Sequence, residues 1–105
     1  MPLDQLPDLE PDPGEVLDAE VAVTEDVLVK VFSLGPGASI DAHEHPGSTN
    51  VFHILEGSVT VVQDGTEDTL SAPGVVVHDP GVEHGAKNES SDRAVLTATF
   101  APPPG

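Results

Sequence analysis

Apolar positions along this chain fall into short runs broken by glycine, proline and aspartate, and none keeps a 3.6-residue period over the length a helix needs. Residues 27–34 form the clearest run, rich in the β-branched and aromatic side chains that fit a pleated surface. Residues 51–55 and 58–62 flank Glu56-Gly57, a two-residue connection of the kind that closes a tight hairpin, and Asp64-Gly65 has the same chemistry. A short strand over 68–72 is then ended by Pro73-Gly74. Residues 75–78, Val-Val-Val-His, are apolar on both faces, which suits a strand covered on both sides. Near the C-terminus Ala94, Leu96, Ala98 and Phe100 alternate with Val95, Thr97 and Thr99 in a strand over 93–101, stopped by Pro102-Pro103-Pro104. Weaker strand signals cover 16–23 and 38–43, the second after the break Gly35-Pro36-Gly37. Many short strands with turn residues between them predict an all-β sandwich or barrel, and closure removes exposed sheet edges.

A length of 105 residues allows one core. Residues 1–14 hold Pro2, Pro7, Pro11 and Pro13 among four acidic groups and predict an extended acidic arm; 15–101 form the barrel and 102–105 a tail. Leu3, Leu6 and Leu9 would let the arm lie along the barrel or a neighbouring subunit, a loose acidic tail being the alternative. Nineteen Asp and Glu against three Lys and Arg give a formal net charge of −16. So little basic charge argues against binding nucleic acid or an anionic membrane. The apolar runs argue against the disorder that such a charge otherwise favours. The imbalance fits a surface adapted to concentrated salt, since at ~1 M ionic strength the Debye length is about 3 Å and carboxylates barely repel one another. An ordinary acidic protein is the alternative. No cysteine is present, which removes disulfides, thiolate chemistry and cysteine-type zinc sites. The N-terminus has neither a basic start nor an apolar stretch, and no run nears the ~20 apolar residues of a membrane span, so a soluble, cytoplasmic protein is expected.

The candidate chemistry lies between Gly37 and Gly57. In an extended strand residues i and i+2 share a face, so His43 and His45 would set two imidazoles side by side. A third, His84, follows the turn residues Pro80-Gly81, with Asn88 four residues on. Three neutral imidazoles on a rigid sheet suit a divalent transition metal with positions left for water, substrate or dioxygen. His53 falls on the strand face opposite Asn50, as an outer-face or interface residue. The direction of His78, across a turn from His84, stays open: a fourth ligand, a proton-transfer group or a surface contact. Asp41 shares the face of His43 and His45 in a regular strand and would orient an imidazole; Glu44 points away, Glu56 is a hairpin residue and Glu83 is solvated. Phe32, Phe52 and Phe100 read as core or cavity wall. No Ser-His-Asp order, phosphate-cradling loop or basic clamp is present, which disfavours strongly anionic substrates.

The two histidine segments resemble the signature motifs of the cupin superfamily. In the first motif the chain matches at Gly37, His43, His45 and Gly57, with Asn50 at the place of the motif's glutamate. In the second it matches at Gly81, His84 and Asn88; upstream, the segment from Gly74 is one residue short and Asp79 stands where the first proline would be. The resemblance covers roughly residues 27–100. It implies a small single-domain cupin, a double-stranded β-helix or jelly-roll-like barrel, with a metal held by His43, His45 and His84 near one end. The cofactor implied is a divalent transition metal (Fe, Zn, Ni, Cu or Mn), and Asn50 would offer an amide oxygen or hold a metal-bound water. Cupins with three histidines and no glutamate resemble dioxygenases that bind a small organic substrate at ferrous iron, with Asn50 or His78 as the catalytic groups managing protons. A non-catalytic small-molecule pocket and a structural dimer whose metal stiffens the barrel are the alternatives, because fold alone does not choose function. The strand over 75–78 also points to a homodimer, its outer face covered by a second subunit.

Overall fold

The structure, a computed structural model, describes residues 6–104; Leu3 with the rest of residues 1–5 of the arm, and Gly105 of the tail, lie outside the described residues. Nine strands and no helix are found among the described residues: β1 Val16–Val23, β2 Leu28–Leu34, β3 Ser39–His43, β4 Thr49–Glu56, β5 Ser58–Gln63, β6 Thr66–Ser71, β7 Gly74–His78, β8 His84–Lys87 and β9 Ala94–Ala101. They form two antiparallel sheets, ordered β1-β2-β9-β4-β7 and β3-β8-β5-β6, wound into a double-stranded β-helix. Strand alternation decides what lies between the sheets. In β9 Ala94, Leu96, Ala98 and Phe100 are buried while the residues between them are half-buried. Leu34, Ile54 and Val59 join them in the core, each contributing about 1.5–3 kcal/mol by leaving water. No helix among the described residues is long and apolar enough to cross a membrane.

The two candidate hairpin turns behave differently. Gln63 pairs directly with Thr66, and Asp64 and Gly65 both take positive φ, 48° and 81°, as a two-residue primed turn requires. Glu56-Gly57 closes no hairpin, because β4 and β5 lie in different sheets and the chain crosses between them there. Gly57 has φ of 74°, and a Cβ on it would lie 2.6 Å from the Arg93 carbonyl oxygen. Glu56 is therefore not a hairpin residue; its carboxylate accepts from Arg93 Nε at 2.8 Å and Nη2 at 3.1 Å. The same guanidinium donates through Nη1 to Asp8 at 2.7 Å and to the Leu9 carbonyl at 2.9 Å, so the described part of the arm is fastened to the barrel rather than loose.

Strand β8 has no counterpart in the sequence pattern, which predicts only a turn before His84. His84-Gly85-Ala86-Lys87 carries no β-branched residue, yet it is a central strand between β3 and β5. A Cβ on Gly85 would sit 2.7 Å from the Ile40 carbonyl oxygen and 3.0 Å from the Ala42 nitrogen, so only glycine lets β3 approach this closely. Gly85→Ala is expected to cost about 1–3 kcal/mol by overpacking backbone against backbone. A melting temperature equal to that of the unsubstituted protein would show that β3 gives way freely.

Strand β7 also differs from expectation. It is the edge of the five-stranded sheet, and alternation turns Val76 and His78 inward while Val75 and Val77 stay 56% and 52% exposed. This chain covers one face of that strand, not both.

Candidate metal centre

Two rows of inward side chains meet inside the barrel. In the four-stranded sheet the register sets His43 of β3 opposite His84 of β8, and His84 opposite Gln63 of β5. In the five-stranded sheet it sets His78 of β7 opposite Asn50 of β4, and Asn50 opposite Phe100 of β9. His45 lies just past the end of β3, its ring edge-on to Phe100 at 4.9 Å. The histidines named from spacing converge: the ligand atoms of His43, His45 and His84 all lie within 4.8 Å of one another.

Backbone carbonyls set two of these rings. His43 Nδ1 donates to the Asp41 carbonyl at 2.7 Å, and His84 Nδ1 donates to the Val82 carbonyl at 2.8 Å. A carbonyl only accepts, so both protons sit on Nδ1 and both Nε2 atoms keep a lone pair. An imidazole N–H held by a carbonyl is the support that fixes ring direction in metal sites. The sequence gives this task to the Asp41 carboxylate. The pairing of β3 with β8 is irregular between Ile40 and His43, the Asp41 side chain is exposed, and its main-chain oxygen takes the role instead. His45 Nε2 is buried with no partner, an arrangement that costs about 1–3 kcal/mol unless something occupies it.

Asn50, at the place of the motif's glutamate, is 1% exposed and donates from Nδ2 to His84 Nε2 at 2.9 Å, leaving its Oδ1 buried without a partner. A half-turn of the amide would present the oxygen to the same spot. The donor set therefore fits a divalent metal: three imidazoles, two of them pre-oriented, with a neutral amide alongside.

His78 is not placed to be a fourth ligand. Its ring stacks on His84 with centroids 4.3 Å apart and planes 10° from parallel. A metal lies near the plane of each imidazole that binds it, and two stacked parallel planes share no such point. Gln63, which sequence alone does not single out, defines this ring instead. Gln63 Nε2 donates to the Val77 carbonyl at 3.1 Å and lies 3.0 Å from His78 Nδ1. The carbonyl fixes the amide orientation, so Nδ1 accepts and the neutral ring carries its proton on Nε2, buried and unpartnered. The available signal was a polar residue ending the inward series Val59, Val61, Gln63 of β5.

Burial lowers the His45 pKa, with the nearby charges of His43 and His84 adding to it. Burial also lowers that of His84, against the Val82 carbonyl, which favours the charged form. Burial, with His84 and His43 beside it, takes His78 down to about 4. In the metal-free protein, the unfolded chain then binds a proton at His78 before the folded one does. Stability from this group is complete above pH ~6.5 and is lost as pH falls towards 4, by at most about 3 kcal/mol. His78→Gln is expected to flatten the denaturation midpoint between pH 7 and 5; a slope equal to that of the unsubstituted protein would contradict this.

The remaining motif residues have other duties. Asn88 donates to the carbonyls of Leu34 and Asp92 at 2.9 and 2.8 Å and accepts from Ser90, so it ties loop to strand rather than touching the site. His53 is exposed on the outer face. Phe52 and Phe100 are buried walls, Phe52 edge-on to His78 at 4.6 Å, and Phe32 packs against the core. A cleft of about 370 Å³ leads to His45 between Pro46, Gly47 and Ser48 on one side and Pro103 and Pro104 on the other. Ser48 Oγ donates to the Pro102 carbonyl at 2.6 Å, so the tail, read from sequence only as a stop, becomes one wall of the mouth.

A family model described as "Cupin domain" matches residues 30–100, most of the chain. The chain belongs to the cupin family. Among solved structures, this cupin is similar to TT1209 from Thermus thermophilus, with 31% identity, TM-score 0.83 and 90% of each chain covered. It is similar to an uncharacterized conserved protein with a double-stranded β-helix domain from Klebsiella pneumoniae, with 28% identity, TM-score 0.84, and 92% and 86% of the two chains covered. It is also similar to a predicted oxalate decarboxylase from Thermotoga maritima, with 25% identity, TM-score 0.79, and 84% and 81% covered. A comparison with curated proteins finds no match.

Proposed function

We propose that this cupin holds a divalent transition metal on His43, His45 and His84 and uses it to bind and turn over a small organic molecule, as a three-histidine dioxygenase-like enzyme. One observation carries the reading: three imidazoles converge within 4.8 Å beside a cleft that reaches His45. A bound metal would supply Lewis acidity and, if redox-active, one-electron chemistry with dioxygen. The protein's own groups do the rest. The Asp41 and Val82 carbonyls hold two rings in register. Asn50 turns its amide to suit whatever faces His84, and His78, its ring stacked on His84, offers the unpartnered Nε2 proton from the same sheet as Asn50. Among the described residues the cleft has no charged side chain in its lining, which favours a neutral substrate over a phosphorylated one. The likeness to a predicted oxalate decarboxylase supports a small organic substrate and, without a cation in the cleft here, leaves an anion only the metal to bind.

The test is anaerobic loading of tag-free protein with ferrous iron, followed by oxygen uptake in the presence of small diketones, thiols and phenols. Uptake that depends on both iron and one substrate class supports the reading. Iron binding without turnover would leave a ligand-binding module. Failure to bind any of iron, zinc, nickel, copper or manganese would remove the reading altogether.

A further inference from the structure

We infer, resting on the metal centre proposed above, that Gly47 and residues 102–104 determine which molecules reach it, and that the mouth they form takes an uncharged, apolar body whose polar head lies at the histidines. The lining of this cleft of about 370 Å³ is poor in hydrogen-bond donors. Pro46, Pro103 and Pro104 have no N–H, and both donors of Ser48 are already engaged. Its N–H donates to the His45 carbonyl at 3.2 Å and its hydroxyl to the Pro102 carbonyl at 2.6 Å. Among the described lining residues, His45 and the main chain of Gly47 are left to meet the oxygens of a ligand. A carboxylate or phosphate held between the proline rings would give up water without replacing its hydrogen bonds. An apolar body loses nothing there and is covered by the rings, while its head reaches His45.

The two walls of the mouth are held differently. On the loop side the His45 carbonyl accepts from both Ser48 N–H and Gly81 N–H, each at 3.2 Å, which fixes the turn that carries Pro46 and Gly47. The other wall follows β9, whose pairing with β4 reaches Thr49 and Ala101. Proline cannot continue that ladder, so the Ser48 hydroxyl holds residues 102–104 against the loop. Gly47 is the open position of the loop wall. A Cβ on it would meet nothing within 4 Å and its φ lies outside the left-handed region, so neither packing nor backbone conformation demands glycine there. What the missing side chain leaves is width beside His45. A longer residue at 47 therefore narrows the mouth without disturbing the barrel.

The test uses two neutral probes with one metal-binding head, acetohydroxamic acid and benzohydroxamic acid, titrated into the cobalt-loaded chain and read from the visible absorption of the bound cobalt. Benzohydroxamic acid is expected to bind about 10-fold or more tightly, because the mouth covers its ring. Gly47→Leu, and separately a chain ended at Ala101, are expected to remove that advantage while leaving cobalt affinity and acetohydroxamic acid binding unchanged. The shortened chain keeps the test valid if Gly47→Leu fails to fold. Equal affinity for the two probes in the unsubstituted protein, or an advantage that survives both changes, overturns the inference and leaves the metal centre standing. A chain that binds no cobalt overturns the metal centre and the inference with it.

Discussion

Replacing His43 with alanine is expected to lower zinc affinity at least about 100-fold while leaving the fold intact. Loss of a group that only supports a ligand already costs 10–100-fold, and removing the ligand itself costs at least that much. His43 suits the experiment because it is half-buried, so its removal leaves a smaller void than removal of His84, which is 1% exposed. His84→Ala should abolish binding too, but it also strips Asn50 Nδ2 and the Val82 carbonyl of their partner and opens a cavity. A further loss of about 2–4 kcal/mol in stability is expected from that variant alone. Titration calorimetry of the pair separates the two effects: both lose metal, and only His84→Ala melts much earlier. Unchanged affinity in His43→Ala would mean that any bound metal sits elsewhere.

The parts of this site that sequence reveals are those set by spacing along one strand. His43 and His45 come together because they are two residues apart at the end of β3, and their rings lie 4.8 Å from each other. His84 is marked by its motif, but its strand is not visible. The sequence that builds β8 is chosen for closeness to β3, a contact between distant segments that needs glycine rather than a β-branched residue. The same limit explains Glu56-Gly57. Its composition matches a hairpin, but which sheet each strand joins is decided by packing across the barrel. His78 and Gln63 are fifteen residues apart and meet only because β5 and β7 face one another in different sheets. Asp41 shows a subtler failure: an irregularity in the ladder reverses which of its oxygens is useful. Local alternation is therefore readable almost everywhere, whereas sheet membership and tautomer are not, since both depend on partners supplied by another strand.

In about 1 M KCl the protein is expected to melt at least about 10 °C higher than in about 20 mM, a gain of roughly 2 kcal/mol for a domain of this size. The cations are already engaged: Lys30 with Asp18 at 2.6 Å, Lys87 with Glu67 at 2.6 Å, and Arg93 with both Asp8 and Glu56. Three cations do not neutralise nineteen carboxylates, and folding gathers them on a body of 37 × 35 × 21 Å. At low salt the Debye length is comparable to those dimensions; at 1 M it is about 3 Å, shorter than the distance between most surface groups. Screening also weakens the exposed ion pairs, but such pairs are worth no more than about 1 kcal/mol each, against repulsion summed over the whole surface. The shape of the curve identifies the cause. Repulsion predicts that most of the gain comes below about 0.5 M, whereas stronger burial of apolar surface continues to rise linearly beyond it. Melts at two protein concentrations complete the measurement, because a homodimer would make the midpoint depend on concentration and a monomer would not. A midpoint that stays flat or falls with salt would show that the unpaired carboxylates do not strain the folded chain.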